Sequence, residues 1–209
     1  YGPLETQRGY ARNRPSMGVH YMGNDNTGRD VLARIIHGTR TALLIGLCAV
    51  GLALLIGVPI GAAAGYWGGW VDVILNAVVQ TFLCFPPIFF VLAVMAFLGN
   101  SLWGMIIVLG LLYWVSFARI VRGEVLALRE REFVDAARVA GASDARIIFR
   151  HILPNAVGVI IVNTTLLMSA AILLETSLSY LGFGIKSPDV SLGQIITEYQ
   201  EGFKTRPWL

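Results

Sequence analysis

The sequence predicts an all-α membrane protein, a helical bundle that crosses the bilayer several times, and three observations carry this prediction. Apolar residues make up 56% of the 209 residues and charged residues only 14%, against about 25% charged in soluble domains. Long apolar runs match the roughly 20 residues that a helix needs to cross about 30 Å of hydrocarbon. These runs do not alternate with polar residues, which excludes a membrane barrel.

Four runs have this length. The first three contain no charged residue, and the fourth contains only Glu175. Short connections join the first three runs, and a long connection, residues 119–155, precedes the fourth. The predicted spans are Thr41–Gly65, Val73–Leu98, Ser101–Ala118 and Ala156–Leu181.

Basic residues indicate which ends of the spans face the cytoplasm. Seven arginines lie near span ends within residues 119–155, and four basic residues, Arg29, Arg34, Arg40 and Lys186, lie on the other side. Because cytoplasmic loops are enriched in Lys and Arg, we expect residues 119–155 to be cytoplasmic. Residues 1–40 and 182–209 are then extracytoplasmic. The sequence begins without Met and ends on an aromatic and apolar pair, so we also expect spans before and after it.

The segment before the first span is predicted to contain a short amphipathic helix at Asn24–His37 that lies on the outer surface. Asn26 or Thr27 would cap this helix. Its apolar side is formed by Val31, Leu32, Ile35 and Ile36.

Metal, disulfide and nucleic-acid sites are not expected. Met17, His20 and Met22 are the only group of soft ligands, and they offer too few donor types for a metal site. Cys48 and Cys84 fall inside spans, where buried small apolar residues are expected and disulfides are not. No basic face with interleaved aromatic residues supports binding to nucleic acid.

Glycines recur every four residues near the end of the first span, at Gly57, Gly61 and Gly65. Small residues at this spacing share one helix face and allow a second helix to approach closely. This pattern predicts tight helix packing, and a surface that slides during gating is the alternative.

Polar residues of the second span share one face at Asp72, Asn76 and Gln80. Polar groups in hydrocarbon need partners or water, so this face is predicted either to line a translocation pathway or to bond to other helices. Further along, Phe85-Pro86-Pro87 predicts a kink or a break, because proline lacks a donor and collides with the preceding turn.

Glu175 is the only ionisable residue within an otherwise apolar run. Intramembrane acids are candidates for function, so Glu175 is predicted either to line a pathway or gate or to bond to a neighbouring helix.

Residues 129–155, REREFVDAARVAGASDARIIFRHILPN, are here called the charged segment, and they hold nine of the chain's 16 basic and 13 acidic residues. We predict two short amphipathic helices hinged at Gly141, where a left-handed backbone would end the first helix. Ser143 would cap the second helix, and Pro154 would close it. The predicted apolar stripes are Phe133, Ala136, Ala137 and Ala140 in the first helix and Ala145, Ile148, Phe149 and Ile152 in the second. Amphipathic helices of this kind dock into grooves on partners or lie on a membrane surface.

Within this segment, Asp135-Ala136-Ala137, Gly141 and Ile152-Leu153-Pro154 resemble the EAA loop of the permeases of bacterial ATP-binding cassette importers. Gly28-Arg29-Asp30 and Ser179–Gly184 (SYLGFG) resemble the peptide/nickel branch of that family. The resemblance extends from about Gly23 to the C-terminus. It departs from the family pattern where Asp135 replaces Glu and His151 replaces Ile.

The resemblance implies a type I importer permease of six spans that works with a second, similar permease subunit in the lipid bilayer. It also implies two cytoplasmic ATPase subunits, which would bind ATP and Mg²⁺, and an extracytoplasmic solute-binding protein. This chain contains no Gly-rich phosphate loop with Lys and Ser/Thr, and no cofactor of its own is expected. The implied ATPase-docking residues are Asp135, Ala136, Ala137, Gly141, Ser143, Ala145, Arg146, Ile148, Phe149, Arg150 and Pro154.

Two other functions remain open from the residues alone. A secondary transporter driven by an ion gradient would need ionisable relays near the bilayer midplane, and the spans have none there. A membrane scaffold that transports nothing is the other alternative, against which the predicted kink and the polar face argue weakly.

Overall fold

The computed structural model describes residues 21–25, 27–185 and 189–200, and these residues are predominantly helical. Three of the helical stretches are long and apolar enough to cross a membrane, and a fourth span results if one bent helix pair is counted as one. The predicted helical membrane architecture is therefore confirmed. The proposed contributions of Met17, His20, Asn26 and Lys186 lie outside the described residues.

The first helix, α1, is Val31–Trp67. It begins where the Asp30 carboxylate accepts a hydrogen bond from the N–H of Ala33 at 3.0 Å, as an N-cap residue does. The separate amphipathic helix predicted at Asn24–His37 is wrong, because helix begins only at Val31 and continues without a break into the first span. Gly38 does not end the helix; an added Cβ there would lie 3.1 Å from the side chain of Leu192, so the position is packed.

The second predicted span is divided into α2, Gly69–Leu83, and α3, Pro87–Leu98. The two helices bend by 86° at the break, and the prediction of a kink or break at the two prolines is confirmed. Phe82 lies before the bend and packs edge-on against the rings of Phe90 and Trp114, with centroid distances of 6.0 and 5.2 Å. These ring contacts stabilise the bend.

Helices continue beyond the other two predicted spans. The third span belongs to α4, which extends ten residues into the predicted connection before the charged segment begins. The fourth span belongs to a helical stretch that begins at Asp144 rather than at Ala156. The remaining helical elements are α4, Leu102–Leu128; α5, Glu132–Val139; α6, Asp144–Arg146; a π turn, Ile147–Ile152; α7, Leu153–Tyr180; and α8, Leu192–Tyr199.

The chain divides into two compact units. The first unit comprises residues 1–47, 95–106 and 171–209, and its described core includes Val31, Val190, Ile195 and Tyr199. The second unit comprises residues 48–94 and 107–170, and its core includes Ala62, Val121, Val125, Val134, Ile147 and Ile152.

Close packing of α1 on α4 holds the second unit together. A Cβ added at Gly57 or Gly61 would collide with a backbone carbonyl oxygen of α4, and one added at Gly65 would lie 2.9 Å from the carbonyl oxygen of Arg122. Real Cβ atoms do not come this close to backbone atoms. The tight helix packing predicted from the glycine spacing is therefore confirmed.

Candidate functional site

The charged segment contains the hinge predicted at Gly141. This residue has a φ of 78°, a left-handed conformation that glycine adopts readily. The N–H of Gly141 donates to the carbonyl of Arg138 at 2.9 Å, and the N–H of Ala142 donates to the carbonyl of Ala137 at 3.0 Å. These two bonds close α5 as a Schellman motif, and the predicted end of the helix is confirmed.

After the hinge, the helix continues through Pro154 into α7. Ser143 occupies the N-cap position of α6, but its hydroxyl caps no N–H among the described residues. The N–H of Leu153 bonds to the carbonyl of Ile148, which is the five-residue spacing of a π turn. In an α-helix the ring of Pro154 would collide with the carbonyl of Arg150. The π turn ends directly before Pro154, and α7, Leu153–Tyr180, contains this proline. The prediction that Pro154 closes the helix is therefore wrong.

The helix α5 packs one face inside the chain and leaves most of the predicted apolar stripe exposed. Val134 is fully buried and Ala137 is nearly so, while Phe133, Ala136 and Ala140 are exposed. Both stripes fit the period of so short a helix, and the structure buries the one that contains Val134. The stripe was predicted to meet a partner, and its members Phe133, Ala136 and Ala140 are exposed as that requires. Ala137 packs inside the chain, so the structure corrects its placement as a docking residue.

The second predicted stripe is also split, because some of its members are buried inside the chain and others are exposed. Ile148 is 5% exposed and Ile152 is fully buried, whereas Phe149 is 69% exposed. Ala145 is exposed as well. A π turn has more residues per turn than an α-helix. Residues that would share one face of an α-helix therefore lie on different faces here. The structure thus corrects the placement of Ile148 as a docking residue, since its side chain packs inside the chain.

The outward side of the charged segment combines charge with apolar groups. Arg138 and Asp135 form an ion pair at 3.0 Å with most of the carboxylate exposed, and Arg146 and Arg150 are exposed. Val139 is 91% exposed. These exposed residues of the charged segment are here called the outward face: Phe133, Asp135, Ala136, Val139, Ala145, Arg146, Phe149 and Arg150.

Three parts of the charged segment meet the C-terminal end of α1. The hydroxyl of Tyr66 donates to the carboxylate of Asp144 at 2.8 Å. The guanidinium of Arg138 lies 5.9 Å from the centroid of the Tyr66 ring, and Arg129 donates to the carbonyl of Gly65 at 3.0 Å. Sequence reasoning missed these residues because the partners lie more than 60 positions apart and share no local pattern.

The polar face of the second span has mixed surroundings. Asp72 forms two hydrogen bonds to the guanidinium of Arg122 on α4, at 2.5 and 2.7 Å, which matches the predicted alternative of bonding between helices. Asn76 lines a narrow crevice with Arg119, and Gln80 is exposed. A pathway role for Asn76 and Gln80 stays a prediction.

Glu175 is buried, with 1% of its surface exposed. One carboxylate oxygen accepts hydrogen bonds from the hydroxyls of Ser179 at 2.7 Å and Ser191 at 2.8 Å. Ser191 precedes α8, so the bond ties that helix to α7 within the first unit. This geometry matches the alternative of a bond to a neighbouring element. The role of Ser191 was not predicted, although its position before an apolar helix start is a capping signal.

Five residues of the first unit form a second group that the sequence did not reveal, here called the buried charge cluster: Asp25, Arg29, Arg34, Glu198 and Tyr199. The guanidinium of Arg34 donates to Asp25 at 3.1 Å, Glu198 at 2.5 Å and the Tyr199 hydroxyl at 3.1 Å. Burial by itself would raise the pKa of the Asp25 carboxyl, but hydrogen bonds from Arg29 and Thr27 outweigh it and lower the pKa. The cluster fastens the turn before α1 to α8.

Comparison with known proteins gives consistent matches. Residues 57–205 match the family model described as the inner membrane component of binding-protein-dependent transport systems. The chain is 37% identical to the dipeptide transport system permease protein DppC of Alkalihalophilus pseudofirmus, over 100% of this chain and 70% of the relative. It is 41% identical to the oligopeptide transport system permease protein OppC of Mycobacterium tuberculosis, over 91% of this chain and 66% of the relative.

Other matches extend this picture. A putative peptide permease of Brucella suis is 39% identical, over 89% of this chain and 62% of the relative, so the chain spans less than the full length of the curated relatives it matches. A solved structure of the MetNI methionine ABC transporter in an inward-facing conformation aligns with a TM-score of 0.65 at 20% identity. It covers 80% of this chain and 81% of that one, which establishes likeness of fold.

Proposed function

The chain belongs to the family of inner membrane components of binding-protein-dependent transport systems, and from this membership we propose that it is the permease subunit of an ATP-driven peptide importer. It is a multi-pass protein of the bacterial inner membrane. In the proposed assembly, a second permease subunit completes the pathway, two cytoplasmic ATPase subunits supply energy, and an extracytoplasmic binding protein delivers the solute.

The observation that carries the proposal is the outward face of the charged segment. Phe149 in the π turn and Val139 at the end of α5 are 69% and 91% exposed, whereas Val134 and Ile152 of the same two elements are buried. An aromatic anchor surrounded by charged residues is typical of a helix that docks into a groove of a soluble partner. We therefore assign this face to the ATPase subunit, with Phe149 as the apolar contact and Arg146 and Arg150 at the rim.

The proposed conformational change that drives transport starts at the ATPase subunits. Their closure on ATP would draw the docked charged segments of the two permease subunits together, and the spans would open outward toward the binding protein. ATP can shift this equilibrium only by binding more tightly to one conformation than to the other. The chain itself contains no Gly-rich phosphate loop, so we assign ATP and Mg²⁺ to the partner subunits.

The names of the relatives support a peptide as the solute, since dipeptide and oligopeptide permeases both align with this chain. Asn76 and Gln80 carry amide side chains, which donate and accept hydrogen bonds as peptide groups do. We propose these two residues as pathway contacts. Glu175 is not included, because its carboxylate is enclosed by serine hydroxyls.

The test is replacement of Phe149 by Asp, followed by measurement of the ATPase subunit that co-purifies with the permease. We expect recovery to fall at least tenfold, because a charge in an apolar groove costs more than about 1.4 kcal/mol. Phe149→Leu is the matched control and should retain most of the recovery. Unchanged recovery with Asp would contradict the assignment of this face.

Reconstituted vesicles test the rest of the proposal. Uptake of a labelled dipeptide, with binding protein outside and ATP inside, should require both ATP and the ATPase subunits. Uptake that persists without ATP and follows an imposed ion gradient would instead favour a secondary transporter. No uptake under any condition would favour a scaffold.

A further inference from the structure

The hinge of the charged segment is spanned by a single side chain from another helix. Tyr66, at the end of α1, contacts Arg138 on one side of Gly141 and Asp144 on the other. The cation of Arg138 lies against the Tyr66 ring, and the carboxylate of Asp144 accepts the Tyr66 hydroxyl proton in a hydrogen bond. The two helical pieces that flank the hinge are therefore fixed to the same residue.

This bridge matters because the backbone between the two pieces gives little resistance to rotation. Residues 140–143 are the only covalent connection between α5 and α6, and Gly141 stands in a left-handed conformation from which glycine can move at low cost. A force on Phe149 would turn the second piece about this hinge. The Tyr66–Asp144 hydrogen bond opposes that turn.

Tyr66 is itself firmly held in the second unit. It is 8% exposed and belongs to the same apolar cluster as Val134, Ile147 and Ile152. Arg129 donates to the carbonyl of Gly65 at 3.0 Å, which satisfies an acceptor that the helix end leaves free. Since α1 also packs closely on α4 along its glycines, a displacement of Tyr66 must move both helices.

We infer that Tyr66, through its hydrogen bond to Asp144, is a positioning residue that couples movement of the docked charged segment to α1. The inference rests on the proposed function, because it requires an ATPase subunit on the outward face. With the bridge in place, the segment moves as one body with the ends of α1 and α4. Without it, part of the ATP-driven displacement is absorbed at the Gly141 hinge.

The test compares Tyr66→Phe with the unaltered protein in vesicles that contain the assembled transporter, with binding protein and a labelled dipeptide as the probe. The substitution removes the hydroxyl and keeps the ring that lies against the guanidinium of Arg138. We expect the number of solutes transported per ATP hydrolysed to fall about three- to tenfold, as expected for the loss of one hydrogen bond. Co-purification of the ATPase subunit should stay at the level of the unaltered protein.

Tyr113→Phe is the matched control, because the Tyr113 hydroxyl has no hydrogen-bond partner among the described residues, and its transport ratio should not change. Asp144→Asn keeps an acceptor and should retain most of the ratio, whereas Asp144→Ala should match Tyr66→Phe. The double variant Tyr66→Phe, Asp144→Ala should lose no more than either single variant, since both remove the same bond.

The outcomes separate this inference from the proposed function. An unchanged ratio in Tyr66→Phe, or a parallel fall in hydrolysis and uptake that leaves the ratio constant, would overturn the inference alone. If the unaltered protein recovers no ATPase subunit, the proposed function fails and the inference falls with it. Should Tyr66→Phe fail to assemble, the comparison of Asn and Ala at the exposed Asp144 decides the question.

Discussion

Two groups of charged residues in this chain differ in how much of their side chains is exposed to solvent. In the buried charge cluster, Arg34 and Asp25 are 1% and 2% exposed, and the Arg34 guanidinium donates to the Asp25 carboxylate at 3.1 Å within the first unit. In the charged segment, the paired Arg138 and Asp135 keep 46% and 66% of their side chains exposed. The same residue types are thus buried in one region and exposed to solvent in the other.

The difference indicates what each region does. A buried ion pair contributes little net stability but is costly to break, so it fixes one arrangement of the turn before α1 and of α8. An exposed ion pair contributes little in either direction, and it leaves the neighbouring Phe149 accessible. The first region therefore maintains structure, and the second is available to a partner.

The largest expected effect is the loss of the buried pair. Asp25→Ala leaves the Arg34 guanidinium buried with one carboxylate fewer, and we expect the free energy of unfolding to fall by about 3–5 kcal/mol. Chemical denaturation of the protein in detergent, followed by circular dichroism, measures this loss. Asp189→Ala, the same substitution at an exposed residue, is the control. Equal stability of the two variants would contradict the contrast between the regions.

The next prediction compares two neighbours on the π turn. Ile148→Ala should lower the free energy of unfolding by about 2–4 kcal/mol, because it opens a cavity in the apolar cluster. Phe149→Ala should change it by no more than about 0.5 kcal/mol, because the ring is mostly exposed. The same denaturation experiment measures both. A large loss of stability at Phe149 would show that this ring belongs to the core and not to the outward face.

A smaller effect is expected at Ser191. Its hydroxyl donates to Glu175 and accepts from the N–H of Gly193 at the start of α8. Ser191→Ala should therefore cost about 2 kcal/mol, from one buried hydrogen bond and one helix cap. Ser177→Ala, on the exposed side of α7, is the control and should cost much less. Similar losses in both variants would mean that the contact with Glu175 contributes nothing.

Sequence reasoning was most successful where one local rule decides the outcome. The apolar runs, the break before Pro87 and the hinge at Gly141 each depend on neighbouring residues alone. It failed at Ala137 and Ile148, which local periodicity assigned to docking stripes but which pack inside the chain. The π turn at Ile147–Ile152 was not predicted, because its residues also fit the period of an ordinary α-helix.

Contacts between distant parts of the chain were beyond reach for a different reason. The pairs Tyr66–Asp144 and Arg34–Glu198 are separated by 78 and 164 residues, and no periodicity links them. Only the folded chain brings such residues together. The buried charge cluster therefore appeared in the sequence merely as basic residues outside the spans.

The smallest expected effect on stability is at Asp135, the residue that stands where the EAA loop carries Glu. Asp135→Ala removes an exposed pair with Arg138 and a favourable charge in the first turn of α5, but alanine is the better helix former. These opposing contributions should leave the free energy of unfolding within about 0.5 kcal/mol of the original. The Asp-to-Ala substitution that destabilises the protein at Asp25 should therefore leave the free energy of unfolding nearly unchanged at Asp135. If Asp135 contacts the ATPase subunit, its replacement will reduce co-purification of that subunit and leave stability unchanged. A loss of stability comparable with that of Asp25→Ala would place Asp135 in the interior and remove the distinction between the two regions.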